Sequence, residues 1–183
     1  MAQSYEEMDA IALLKADHRK VEEIFAAFEK ATSTAKKRAL AEQACLELKV
    51  HTVLEEEVFY PACRGQIEGD LLDEAYVEHD TAKLLINEIE AASPEDEFYD
   101  SKVKVLSEVI EHHVEEEEKR SEGVFSQARA AGLDMDVLAD AMRARKVTAM
   151  EEFQAGKPAE TLTLKGDDTE RALIDTPPGA EAR

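Results

Sequence analysis

The chain has 183 residues, 44% hydrophobic and 35% charged, with seven glycines and five prolines, which suits one helical domain with some excess. A net charge of −20 argues against nucleic acid as a partner, because its phosphates would be repelled. No run of about 18 apolar residues spans a membrane, no basic and then apolar leader opens MAQSYEEMDA, and Cys45 and Cys63 form no motif, so a reduced, cytoplasmic protein is expected.

The first helix is predicted from a capping box, Ser4-x-x-Glu7, to about Ala31. Its apolar stripe is Ile11, Leu14, Val21, Phe25 and Phe28, and the three-and-four spacing closes only when His18 is counted in it. A polar break at Thr32 to Thr34 leads to a second helix, about Ala35 to Cys63, with Leu40, Ala44, Leu48, His51, Glu55, Val58 and Ala62 on one side. Pro61 removes one helical hydrogen bond, so a bend or an end is expected there. Gly65 and Gly69 bracket the next turn.

The third helix, about Leu71 to Ala92, carries Leu72, Ala75, His79, Ala82, Ile86 and Ile89 in its seam. Ser93-Pro94-Glu95-Asp96 reads as the start of the fourth: a cap, a proline suited to the first turn, and acids that complement the helix dipole. Its stripe is Val103, Leu106, Ile110, His113 and Glu117, and Gly132 ends it. Asp134 then caps a fifth helix with Val137, Leu138, Ala141 and Met142 on its apolar side. From residue 156 to 183 the helical period is gone, and a loosely attached or disordered tail is expected. Four long helices joined by short breaks imply an all-α, antiparallel up-down-up-down four-helix bundle over residues 1–155, with the fifth helix added at its C-terminal end.

The chemistry lies in two pairs, His51 with Glu55 and His113 with Glu117. Residues four apart stand one above the other on a helix, so each pair aims an imidazole and a carboxylate the same way. A single histidine on an apolar face is usually a satisfied core residue. Here each of four helices places one on its own stripe, which chance would do with a probability of about 0.03 if a stripe covers three-sevenths of positions. An unpaired buried carboxylate costs several kcal/mol, so four imidazoles and two inward glutamates call for cations between them. Six ligands overfill a structural zinc and suit a dinuclear centre with bridging carboxylates. Carboxylate-bridged di-iron is the commonest such centre in helical bundles; manganese and zinc stay open. His112 and Glu116 share the four-residue spacing, but His113 continues the stripe and is favoured as the ligand. Glu56, Glu57 and Glu116 read as surface.

The order His18, HTVLE with His51 and Glu55, His79, then HVEEE with His113 and Glu117 resembles the hemerythrin-like, or HHE cation-binding, domain over about residues 8–130. The resemblance implies an antiparallel four-helix bundle with a non-haem di-iron centre. It implies His18, His51, His79 and His113 as terminal ligands, and Glu55 and Glu117 as bridges beside an oxo or hydroxo group. Family members bind or sense oxygen, respond to nitric oxide or peroxide, or help supply iron. The oxygen carriers have a His-x-x-x-His pair on the third helix, whereas here Lys83 follows His79 by four. One iron is therefore expected to have an open or differently filled position, with Glu22 and Tyr76 as the nearby alternatives. The expected partner is a small diatomic or anionic ligand, bound by a sensor or carrier, or reduced by a redox enzyme. A purely structural metal is the remaining alternative.

Overall fold

A computed structural model of the chain describes residues 5–164. After a 3-10 turn at Tyr5–Glu7 come α1 (Ala10–Lys30), α2 (Thr34–Leu54), a π-helical turn (Glu55–Phe59), α3 (Tyr60–Cys63), α4 (Gly69–Ala91), α5 (Tyr99–Glu118), α6 (Val124–Ala130) and α7 (Met135–Gln154). No described helix is long and apolar enough to cross a membrane.

Side-chain pairings show the bundle's direction. His18 meets His51 and Lys20 meets Glu47, so α1 and α2 run antiparallel. Lys49 with Glu90 and Glu56 with Lys83 do the same for α2 and α4. His79 with His113 and Glu88 with Lys102 set α4 against α5. Glu118 reaching His18 closes the ring. The fifth long helix, α7, packs outside on α1 and α2, where Lys146 reaches Asp17 and Arg145 reaches Glu57.

The apolar side chains fall into two clusters. One holds Val21, Phe25, Leu48, Ile86, Leu106 and Ile110; the other holds Leu14, Leu54, Phe59, Tyr60, Leu72 and Phe125. On α1, α2 and α4 the histidine falls between the residues given to one cluster and those given to the other. The polar layer is thus walled by apolar core on both sides, which keeps bulk water away from it.

Four local features refine or correct the sequence expectation. Asp9 caps α1, its carboxylate accepting from the Ala12 N–H at 2.8 Å, while Glu7 sits in the preceding 3-10 turn and Ser4 lies outside the described residues. The helix neither ends nor breaks ahead of Pro61: it takes a π turn in which the Tyr60 N–H reaches the Glu55 carbonyl, then continues to Cys63. At Ser93–Asp96 the Asp96 carboxylate accepts from the Ser93 N–H, and the Asp96 N–H returns to the Ser93 carbonyl, each at 2.9 Å. That closes a turn, so the helix starts later, at Tyr99. Finally, the fourth helix stops at Glu118 and resumes at Val124. Gly123 makes this fold-back tight, since a Cβ there would lie 2.4 Å from the Glu117 carbonyl oxygen.

The tail, expected to be loose from residue 156, is anchored over 159–164. Asn87 on α4 donates to the Ala159 carbonyl at 2.9 Å and accepts from its N–H at 3.2 Å. The fully buried Asp80 carboxylate accepts from the N–H groups of Leu162, Thr163 and Leu164 and from the Thr163 hydroxyl. Burial works to raise the pKa of Asp80, but those bonds outweigh it and hold the carboxyl at about 2. Residues 165–183 of the expected tail lie outside the described residues.

Candidate metal centre

Among the described residues, two buried groups of metal-ligand type meet in the middle of the bundle: His18, His51, Glu55 and Glu117, and Glu55, His79 and His113. All six residues singled out in the sequence are brought together, and Glu55, with no exposure, belongs to both groups. The Nε2 atoms of His18 and His51 are 3.0 Å apart, and those of His79 and His113 3.1 Å. Two nitrogens each about 2.1 Å from one ion and at right angles to each other would be about 3.0 Å apart. Glu55 Oε2 is 3.1 Å from His51 Nε2 and 3.2 Å from His79 Nε2, so one carboxylate serves both imidazole pairs. Glu117 Oε2 lies 3.5 Å from His18 Nε2 and 3.6 Å from His113 Nε2.

Each imidazole turns its other nitrogen towards a carboxylate of a neighbouring helix. His18 Nδ1 donates to Glu118 at 2.9 Å, His79 Nδ1 to Glu56 at 3.0 Å and His113 Nδ1 to Glu78 at 2.8 Å. His51 Nδ1 faces Asp17 at 3.9 Å, beyond a hydrogen bond. These carboxylates follow a sequence rule: Asp17 precedes His18, Glu56 follows Glu55, Glu78 precedes His79 and Glu118 follows Glu117. A proton fixed at Nδ1 leaves the Nε2 lone pair free to face a metal. Cations back the outer ring: Lys146 on Asp17, Lys15 and Arg19 on Glu118, Lys83 on Glu56.

The electrostatics fit a cation. Glu55 Oε1 and Glu117 Oε2 are buried acceptors with no hydrogen-bond partner, which is costly unless something positive joins them. Burial raises the pKa of Glu117, and the charge of Glu55 adds to it, taking it to about 8. Glu55 is pulled well below the usual carboxylate range: burial opposes this, but His51 and the hydrogen bonds of three imidazoles outweigh it. Burial also opposes charge on His51 and His113, yet Glu55 lifts the first to about 10 and Glu117 lifts the second well above 6.5. His18, where burial dominates, falls to about 4. Protons thus stand in the layer at neutral pH where a metal would otherwise stand.

Comparison with known proteins agrees with this geometry. The family model "Hemerythrin HHE cation binding domain" matches residues 9–121. The chain belongs to the hemerythrin HHE family. A relative from Nostoc sp. (strain PCC 7120 / SAG 25.82 / UTEX 2576), a DNA nickase, is 31% identical over 114 residues, which are 62% of this chain and 32% of that protein. The chain therefore spans about a third of the length of the curated relative it matches. A hemerythrin HHE cation binding domain-containing protein of Mycobacterium kansasii has the same fold, with a TM-score of 0.63 at 19% identity, over 85% of this chain and 91% of that one.

Within this HHE bundle, one residue at the centre is invisible to the stripe pattern. The fully buried Tyr60 hydroxyl donates to Glu117 Oε1 at 2.8 Å and stands 3.4 Å from both Glu55 Oε2 and His79 Nε2. In an α-helix, residues five apart point about 140° away from each other. The π turn brings Tyr60 back to the face of Glu55, a common use of such turns at functional sites. Tyr76 and Glu22, the alternatives read from the sequence, stand elsewhere: the Tyr76 hydroxyl donates to the Glu56 carbonyl, and Glu22 is exposed. Lys83 does not border an open position; it is buried and donates to both oxygens of Glu56 at 2.7 and 2.8 Å. Glu56 is correspondingly no surface residue but the acceptor for His79, whereas Glu57 and Glu116 pair with Arg145 and Lys119 on the outside. His113 faces the layer, and the His112 side chain is 60% exposed beside Glu78.

Proposed function

We propose that this chain is a non-haem di-iron protein that binds or senses a small molecule such as oxygen, nitric oxide or peroxide. His18, His51, His79 and His113 are its terminal ligands and Glu55 and Glu117 its bridges. The observation that carries the reading is Glu55, whose carboxylate is common to two separate donor groups; one ion has no use for six donor residues in that arrangement. Imidazole, carboxylate and a phenol at one place favour iron over softer metals, with manganese or zinc as the alternatives.

A reduced iron pair supplies electrons and coordination positions to a small ligand. The protein supplies the rest. Val21, Leu48, Ile110 and Val114 line, with the four imidazoles, a cavity of about 10 Å³. That is room for about one water-sized molecule and no more, which favours a diatomic or triatomic ligand over an organic substrate. The outer carboxylates hold the imidazole lone pairs inward, and Tyr60 holds a proton between Glu117 and Glu55. That internal proton favours a second reading, in which the same centre reduces peroxide or nitric oxide and Tyr60 feeds the proton. The nicking activity named for the Nostoc relative is not extended to this chain, because the match covers a third of that protein and a charge of −20 opposes DNA. The two free, buried cysteines accord with a reducing compartment such as the cytoplasm.

Metal analysis of protein purified without added metal, with absorption spectra before and after azide, oxygen and nitric oxide, tests the reading. Two irons per chain and ligand-sensitive visible bands are expected. A single zinc and a colourless protein would sink it.

A further inference from the structure

We propose that the C-terminal strap, residues 157–164, is a working part of the metal centre, holding His79 in position through Asp80, Lys83 and Glu56. The inference rests on the reading of His79 as an iron ligand. Successive residues of a helix point about 100° apart, so with His79 facing the layer, Asp80 faces the flank that the strap covers. There it meets donors from three consecutive strap residues, Leu162, Thr163 and Leu164, and a fifth donor, the Lys83 ammonium, at 3.3 Å. The other hydrogens of Lys83 go to both oxygens of Glu56, and Glu56 Oε1 accepts from His79 Nδ1 at 3.0 Å. Every side chain between the strap and the imidazole is buried or nearly so: Asp80 0%, Lys83 5% and Glu56 8% exposed.

Fastening residues 157–164 to α4 needs none of this. Ala159, buried and tied to Asn87, already fastens the strap with neutral groups. The buried charge beside a ligand has a different consequence. If the strap lifts, Asp80 loses its four fixed donors and water enters the flank; the protein donor left to the carboxylate is Lys83, 3.3 Å away, and the ammonium is drawn towards it. Lys83 then leaves Glu56, and Glu56, without its counter-charge, either tightens on the Nδ1 proton of His79 or swings away. Whether the strap is seated therefore alters the imidazole's orientation and basicity, the properties that outer partners control at metal sites.

Full-length, iron-loaded variants test this. Thr163→Pro removes a strap N–H and a hydroxyl that reach Asp80, Thr163→Val removes the hydroxyl alone, and Lys83→Met cuts the middle of the relay. The readouts are the ferric visible spectrum and the rate of iron release to a chelator. Thr163→Pro is expected to shift the bands and speed release about tenfold, the low end for loss of an outer partner. Thr163→Val should move both in the same direction by less. In a Lys83→Met background, Thr163→Pro should add nothing, as links of one chain do. Asp80→Asn removes the charge that would draw Lys83 off Glu56, so in that background Thr163→Pro should change neither readout. Unchanged spectra and release in Thr163→Pro overturn the proposal, as does an undiminished Thr163→Pro effect in the Asp80→Asn or Lys83→Met background. If Thr163→Pro fails to fold, Thr163→Val, alone and in the Asp80→Asn background, decides. A wild-type protein that takes up no iron defeats the metal reading itself, and this proposal falls with it.

Discussion

Tyr60 donates its hydroxyl to Glu117 Oε1 across 2.8 Å, joining residues 57 apart in the chain inside a layer otherwise made of imidazoles and carboxylates. In a metal-free layer the phenol keeps its proton, because burial raises its pKa well above 10 and the charges of Glu117 and Glu55 add to the effect. A trivalent cation beside it would favour loss of that proton.

Tyr60→Phe is therefore expected to keep two irons, since the other six donors are untouched, but to change the visible absorption and the affinity for azide. The metal-free variant should also lose about 0.5–1.5 kcal/mol at pH 7, typical of a hydrogen bond between neutral groups, since Glu117 keeps its proton there. Denaturant melts and spectra check both halves. Identical spectra for variant and wild type would place the hydroxyl outside the coordination sphere.

His113→Ala should empty the centre, and His112→Ala should leave it filled. The two residues are neighbours, yet the first is buried at the layer and the second is exposed on the flank. Metal content after gel filtration measures the contrast, and the reverse outcome would show the α5 register to be off by one residue.

Metal uptake should release protons and tighten with rising pH. Glu117 at about 8, His51 at about 10 and His113 well above 6.5 all hold protons at pH 7, and a cation must displace them. Raised pKa values mean competition from protons that eases as pH climbs, first through about 8 where Glu117 gives up its own. His18, lowered to about 4, adds nothing at neutral pH. An indicator dye in weak buffer reads the release. Uptake that leaves the pH unmoved at 7 and an affinity flat from 7 to 9 would contradict the arrangement. By the same linkage, bound metal should raise the melting temperature.

Gly123→Ala should weaken both fold and centre. Its Cβ would lie 2.4 Å from the Glu117 carbonyl and 2.6 Å from that of Glu116, backbone atoms that cannot swing aside. A cost of about 1–3 kcal/mol is expected from overpacking, with faster loss of metal because the displaced turn carries Glu117. A variant with unchanged melting and unchanged metal retention would show that the 119–123 segment yields freely.

The four seam histidines and both inward glutamates were legible because a buried stripe has a period, and each of them falls on it. Glu56 was not, because it sits 100° off the stripe and its partner, His79, belongs to another helix. Tyr60 was hidden for a different reason: its inward direction comes from the π turn, and Pro61, the visible sign of irregularity, reads equally as a bend or an end. The seating of the strap escaped too, since backbone donors converging on Asp80 leave no pattern in the side chains that carry them.

The outer ring has a consequence for how the bundle finds its shape. Each helix contributes a donor to the layer and, one residue away, the carboxylate that faces the next helix's imidazole. A helix turned by one residue would withdraw its own donor and, in the same movement, abandon its neighbour's. Errors of rotation are therefore never local: one misplaced helix spoils two of the four stations. Apolar stripes alone tolerate such slippage, because one aliphatic side chain substitutes for another. Binding of the cations would act as a proofreading step, holding the chain in the single arrangement in which all four helices are correctly turned at once.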